Sequence, residues 1–214
     1  GDSGASVSST SDELVIEGSS VGMSFLDATD GATRIAFGDS GDNDIGKIIY
    51  AHSDNSMAFV TNTGEALRIS SAGEVTKPLQ PAFAAKPASN QSDINAVDAY
   101  VTIAFGTELF DIGGNFASNT FTAPVTGKYQ LQVNLYMSDF DASADYLQVD
   151  IQTSNNTYTA LWETGSEDTY VTINVVCTAD MDANDTAYVR IYQGGGGAQV
   201  DVRQATRFSG FLAC

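Results

Sequence analysis

Basic residues are scarce: nine Lys and Arg stand against 27 Asp and Glu, for a formal charge of −18. Nucleic acid and anionic membrane are bound largely through Lys and Arg, so this balance counts against both as partners. It suits a solubilising surface, the ordinary reading, or one that attracts cations. Histidine is scarcer still. His52 stands alone, which excludes most metal sites built on imidazoles and most His-based catalytic dyads. Two cysteines, Cys177 and Cys214, are too few for a disulfide framework. A single bridge between them is one reading, and free cysteine, which is commonly buried, is the more frequent one. No apolar run approaches the roughly 20 residues that span a bilayer. Nothing near residue 1 joins a basic segment to an apolar one, as a secretory signal does. The chain opens Gly-Asp-Ser-Gly without a Met and reads as a fragment of something longer.

What the chain does hold is β-forming material. Its 43% hydrophobic content is globular. Those residues, mainly Val, Ile, Phe, Tyr and Ala, lie in short runs among Gly, Ser, Thr, Asn and Asp. That pattern predicts many short strands and few helices. A length of 214 residues allows one large domain or two small ones. Residues 1–12 are small and polar. From 13 to 76 strand and turn alternate: "DELVIEG", "GMSFLD", "TRIAFGD", "GKIIYAH", "SMAFVTN", "EALRISS" and "GEVTK", punctuated by Asp-Gly, Gly-Asp and Thr-Gly. None offers an apolar face thick enough for a core of its own, and so thin a unit is marginal alone. Identical chains wrapped together would bury one another's apolar faces. Residues 1–76 are therefore read as a β-repeat stalk.

Residues 77–92, "KPLQPAFAAKPASNQS", hold Pro78, Pro81 and Pro87, three of the four prolines. They read as a linker or the opening strand of a domain. Beyond them the strands lengthen and alternate cleanly, as in Tyr129-Leu131-Val133-Leu135. Eight to ten such strands predict a β-sandwich or jelly roll over residues 82–214.

The stretch "GGNFASNTFTAPVTGKYQLQVN" resembles the signature of complement-type globular heads, the q-subcomponent branch of the tumour-necrosis-factor-like jelly rolls. Phe116, Phe121, Thr122, Ala123, Pro124, Gly127 and Tyr129 carry the match. So do an opening Ala82-Phe83 and a closing Phe208-Ser209-Gly210-Phe211-Leu212. Asn119 stands where the family usually has Gly, a tolerable change because Asn also accepts positive φ. The resemblance implies a compact homotrimer in which Phe116, Phe121, Pro124, Gly127, Tyr129, Phe208, Gly210 and Phe211 are scaffold. A second resemblance lies upstream. "YAHSDNSMAFVTNTGEALRISSAGEV" is similar to stalk repeats of tailed-phage fibres, through His52 to Met57 and through Arg68, Ile69, Gly73 and Val75. Such stalks are trimeric, so both halves imply the same symmetry.

Chemistry-bearing patterns are few. "GDSG" at 1–4 and 38–41 matches the nucleophile loop of trypsin-like proteases. Those enzymes need a general-base His held by a buried Asp, and His52 lies inside the stalk-like turn. His52 is expected to pack or hydrogen-bond there, or to hold a metal on a trimer axis. Asp139, Asp141 and Asp145, and separately Asp180, Asp182, Asn184 and Asp185, are candidate calcium ligands. Some heads of the resembled family bind calcium near the trimer apex, although neither loop has an EF-hand pattern, and solvated turns are the plainer reading. "GGGG" at 194–197 suggests a hairpin tip. Trp162, Tyr158 and Tyr170 are candidates for sugar stacking, or for core packing. Asn-x-Ser/Thr triplets at Asn90, Asn155 and Asn184 carry little weight without a secretory signal.

The sequence thus predicts an all-β, non-enzymatic homotrimer, a jelly-roll head on a trimeric stalk, with no cofactor beyond possible calcium. Its expected role is a virion appendage, a phage tail fibre or spike, made in the bacterial cytoplasm and exposed on the particle. Expected partners are a host-surface receptor or glycan and other virion proteins. Alternatives are a capsid-decorating head fibre, a bacterial adhesin or structural trimer, and a polysaccharide-degrading enzyme built on a carboxylate pair.

Overall fold

The computed structural model describes residues 8, 10, 14–163 and 170–214. It divides between Lys77 and Pro78 into two units, and the described residues contain strands and no helix. No helix is long and apolar enough to cross a membrane.

The first unit is an antiparallel meander of β1 (Ala32–Phe37), β2 (Gly46–Ala51), β3 (Ser56–Thr61), β4 (Gly64–Ile69) and β5 (Val75–Thr76), hydrogen-bonded in that order. Its turns are set locally. Asn62 and Thr63 adopt φ of 47° and 62° between the paired Thr61 and Gly64, the two-residue geometry that matches strand twist. Register places Ile35, Ile48, Phe59 and Leu67 in one row across the sheet, and Thr33, Tyr50, Met57, Ile69 and Val75 in the next. Both rows lie on one face, because side chains alternate along a strand. Among the described residues no second sheet covers that face, and Phe25 lies against part of it beside Ile35, Ile48, Tyr50 and Met57: Phe37 is 56% exposed, and Ile35, Met57, Phe59 and Val75 are also exposed. The opposite face is polar. There the Arg68 guanidinium pairs with Glu65 and donates to Ser56 Oγ at 2.5 Å, across from Ala58, which among the described residues is the one buried hydrophobic of this unit.

Two of the expected stalk strands do not form. "DELVIEG" and "GMSFLD" carry strand-like residues, but the described residues 14–31 make no ladder. Leu14, Val21, Met23 and Leu26 stay exposed. A strand needs a neighbour to take its backbone hydrogen bonds, and residues 14–31 pair neither with one another nor with the open edge of β1. The remaining part of the first Asp-Glu pair lies outside the described residues.

The second unit is a sandwich of two sheets. One holds six strands: β8 (Val101–Thr102), β10 (Phe116–Ala117), β11 (Thr120–Thr122), β13 (Tyr146–Thr153), β14 (Thr157–Glu163) and β16 (Thr186–Gly194). The other holds seven: β6 (Ala82–Lys86), β7 (Gln91–Ile94), β9 (Thr107–Ile112), β12 (Gly127–Ser138), β15 (Tyr170–Met181), β17 (Val200–Val202) and β18 (Arg207–Leu212). Consecutive strands often sit in different sheets, the crossing pattern of a jelly roll. The longest ladder joins β12 to β15 over twelve residue pairs. Alternation supplies the core: Leu131, Val133, Leu135 and Met137 of β12 and Ile173 and Val175 of β15 face Val149, Ile151, Val189 and Ile191. Burial pushes the Cys177 thiol up to about 11. Both Cys177, buried, and Cys214, exposed, are free.

At one end of this core the aromatics gather. The Phe83 ring lies 5.0 Å from Phe116, 4.7 Å from Phe121 and 5.0 Å from Phe208. The Pro-Val-Thr-Gly corner carries the chain from β11 in one sheet to β12 in the other. Tyr129 ties it down: its ring is fully buried against Phe121, and its hydroxyl donates to the Val125 carbonyl at 2.8 Å. Gly127 and Gly210 are sites of close approach. A Cβ on Gly127 would meet the Cys214 carbonyl at 2.7 Å, and one on Gly210 would meet Leu131 at 2.5 Å. Asn119 does take positive φ, 69°, and its Oδ1 accepts from the Phe105 amide at 2.7 Å. Phe211 is the exception among these landmarks: it points out of the sandwich and is 49% exposed.

Candidate functional site

The outer face of the seven-stranded sheet is apolar where strands β9, β6, β18, β12 and β15 meet. Register lines up Ile112, Ala82, Phe211, Gln130 and Thr178 in one row and Phe110, Ala84, Ser209, Gln132 and Val176 in the next. Phe110 and Phe211 are about half exposed and Val176 more so. Phe110 and Phe211, with Gln130, Gln132 and Ser209, line a groove of about 180 Å³ together with Ala82, Phe83 and Gly210. The Gln130 amide is fixed, donating to the Cys177 carbonyl at 3.0 Å and accepting from Thr178 Oγ1 at 3.3 Å. The lining holds no titratable side chain, so it can exclude water against another apolar surface and offers no acid, base or nucleophile. Exposed apolar patches of this kind mark protein–protein contacts.

The outer face of the six-stranded sheet is built differently. Asp150 points outward from β13 yet is fully buried. Its carboxylate accepts from Arg190 Nε at 2.9 Å, Gln148 Nε2 at 2.9 Å and Thr159 Oγ1 at 2.8 Å. The Arg190 guanidinium in turn lies 3.7 Å from the centroid of the Tyr100 ring. In the sequence, "AYVRIYQ" of β16 reads as a strand, and its outward alternation Tyr188-Arg190-Tyr192 is the signal that marks this face.

The candidate calcium ligands fall into two sets at opposite ends of the β12–β15 ladder, because Ser138 pairs with Tyr170 and Gly127 with Met181. A twelve-residue strand separates them by roughly 35 Å. The carboxylates of Asp139, Asp141, Asp180, Asp182 and Asp185 are already engaged. Asp139 pairs with Arg203 at 3.3 Å. Asp141 accepts from the Ser143 amide at 2.9 Å and from the Gly197 amide, and these hydrogen bonds hold its carboxyl below the usual range. Asp180 pairs with Lys128 at 2.5 Å. Asp182 Oδ1 accepts from Thr126, and Asp185 accepts from the Asp182 amide at 2.8 Å. The Asp145 amide donates to the Gly194 carbonyl at 2.8 Å. Among the described residues no group of three His, Cys, Asp or Glu side chains converges to hold a metal.

Other singled-out residues have local structural roles. His52 Nε2 hydrogen-bonds Thr33 Oγ1 at 3.2 Å, and its ring meets Tyr50 edge-on. In "GDSG" at 38–41, Asp39 closes the turn by accepting from the Gly41 amide at 2.7 Å; the copy at 1–4 lies outside the described residues. The glycine run is no hairpin tip, since it joins β16 of one sheet to β17 of the other. Gln193 Nε2 pins it by donating to the carbonyls of Gly195 and Gly197, each at 2.9 Å. Tyr158 and Trp162 turn inward against the core, while Tyr170 stays half exposed and stacks on Tyr136. Asn90 and Asn155 hydrogen-bond locally, to the Gln204 amide and the Asp180 carbonyl.

Comparison with known proteins follows this division. No curated protein matches the chain. Among solved structures, the globular domain of zebrafish complement 1qA is 16% identical, over 63% of this chain and 98% of that one, with a TM-score of 0.47. Murine APRIL is 10% identical, over 62% and 98%, with a TM-score of 0.46. The family model described as "C1q domain" matches residues 82–213, the span that opens at β6 and closes just after β18. Its landmarks are the buried phenylalanines, the Tyr129-tied corner and the Gly210 contact. The chain therefore belongs to the C1q-domain family.

Proposed function

We propose that the chain is part of a homotrimeric virion appendage, a phage tail fibre or spike, whose C1q head attaches to a host-surface receptor or glycan. C1q and tumour-necrosis-factor-like domains are often trimers and are generally binding or structural modules without enzymatic activity. The observation that carries the reading is the uncovered apolar face of the first unit. A single-layer sheet presenting Ile35, Phe37, Met57 and Phe59 to water is marginal alone and stable once copies cover one another. The Phe110–Phe211 groove of the head supports the same symmetry. In this reading residues up to 77 are the stalk, and the protein is made in the bacterial cytoplasm and displayed on the particle. The charge of −18 keeps such an exposed protein soluble. Attachment is by binding alone, strengthened by three identical heads acting together.

Light scattering on the full chain tests the assembly, with a mass three times the 22.5 kDa of one chain expected. A stable monomer at micromolar concentration sinks it. Antibody labelling of intact particles tests location: gold at tail tips supports the fibre, gold on the capsid replaces it with a head fibre, and unlabelled particles remove the virion assignment.

A further inference from the structure

The outer face of the six-stranded sheet carries a second feature besides the Asp150 network. The ring centroids of Tyr100 and Tyr192 are 5.1 Å apart, and those of Tyr192 and Tyr146 are 6.0 Å apart with planes 19° from parallel. Rings parallel at that separation are offset side by side. Three tyrosines thus form a continuous aromatic strip. Beneath one end the sheet gives up a side chain: Gly194 pairs across the strands with Tyr146, and a Cβ there would meet the Tyr146 ring at 2.5 Å. Beneath the other end the Tyr100 ring rests on the Arg190 guanidinium, and its hydroxyl accepts from Gln148 Nε2 at 3.1 Å. Tyr192 is held by a hydrogen bond from its hydroxyl to Asp98 Oδ1 at 3.3 Å. The strip is therefore pre-organised, and Tyr100 remains 49% exposed.

We infer that this strip binds the rings of an uncharged glycan. A sugar ring offers an apolar C–H face to aromatic carbon and hydroxyls to polar groups at its rim. Here the rim is supplied by Asp98, Gln148, Thr159 and Glu163. The rings touch one another, so they leave no enclosed space of the kind in which aromatic cages hold a quaternary ammonium. Arg190 is neutralised by Asp150, leaving Asp98 and Glu163 as local charges, which disfavours sialylated, sulfated or phosphorylated ligands. A protein partner would require a desolvated apolar centre, whereas the strip is bordered by the polar groups of Asp98, Gln148, Thr159 and Glu163, with exposed Leu161 as a single aliphatic neighbour across from Gln148. The site lies within one chain. Its biological sense rests on the attachment reading, in which it supplies the ligand class.

Affinity electrophoresis of the full chain against dextran, mannan and galactan, with heparin as anionic control, tests the inference. Retardation by at least one neutral polysaccharide and none by heparin is expected. Removing one ring by Tyr100→Ala or Tyr192→Ala should weaken retardation roughly tenfold, the scale of one aromatic contact. Gly194→Ala, which displaces Tyr146 without removing any ring, should weaken it too, with melting temperatures compared to exclude unfolding. Absence of retardation by all three neutral polymers, heparin preference, or full retention by the folded Tyr100→Ala protein each overturns it. Adhesion of labelled chain to host cells is scored separately. Adhesion without polysaccharide binding rejects the glycan site and leaves attachment standing, and polysaccharide binding without adhesion does the reverse.

Discussion

At the scale of single residues, the Asp150–Arg190 pair is the sharpest commitment in the head. A fully buried carboxylate is tolerable only while its donors stay in place. Arg190→Ala should therefore cost about 3 kcal/mol in denaturant unfolding, the lower end for breaking a buried pair because the guanidinium side is partly exposed. The double change Asp150→Leu with Arg190→Met should recover most of that loss. If Arg190→Ala unfolds with the native midpoint, the pair is ornamental. Nothing in the sequence announced it, because Asp150 falls on the outward phase of β13 and reads as a solvated position. Its carboxylate is enclosed by Arg190, Gln148 and Thr159 from neighbouring strand positions, and Tyr100, fifty residues earlier, holds two of these by stacking on the Arg190 guanidinium and accepting from Gln148. Residues whose role is set by their own neighbours were easier to read. Asn119 at a positive-φ turn and Gly127 beside Tyr129 announce themselves in a few letters.

At the scale of strands, clean alternation was readable and edges were not. The twelve-residue β12 and β15 follow the period-2 pattern because each buries one whole face. β9, "TELFDI", escaped notice because its apolar Leu109 and Phe110 are adjacent and both exposed. It pairs only with β6 and owes its place to the groove it helps wall. In the first unit the apolar rows were visible as a rhythm, but the rhythm overran into residues 14–31, which form no ladder. Phe59 sits mid-row on the uncovered face and tests what that face is for. Phe59→Asp should reduce the solution mass from three chains to one while leaving the head's near-ultraviolet aromatic signal intact. A trimer that survives the substitution would move the assembly surface away from this sheet.

Across the molecule, acid response should differ between the two units. Asp39, Asp44, Asp54 and Glu65, all in the first unit, have carboxyls held below their ordinary values. The leading cause is a hydrogen bond to the ionised form: from the Gly41 amide, Lys47, Ser56 and Arg68 respectively. In the head Asp141 is shifted the same way. A depressed folded-state value means stabilisation that is present above the unfolded value and lost as pH falls through the folded one. As pH drops from 7 toward 4.5, neutralisation of the −18 charge relieves self-repulsion. Below the ordinary 3.8 of Asp, the turns of the first unit lose their ionised acceptors. Limited pepsin digestion at pH 3 should therefore cut within residues 32–76 before it cuts the head. First cleavage inside β12 or β15 would contradict this.

The strand order of the seven-stranded sheet has a consequence in time. β6 opens the head, yet its partners are β9 and β18, and β18 comes more than 120 residues later. Loop closure on that scale is slow and must precede the contacts that reward it. The meander closes strand by strand as it is made, whereas Phe83 must wait for Phe208 and Gly210 to be synthesised. During translation the nascent head therefore carries an apolar opening strand paired along one edge, by β9, and open along the other until nearly its last residues emerge, and that interval is when a chaperone or a neighbouring chain has access to the open edge.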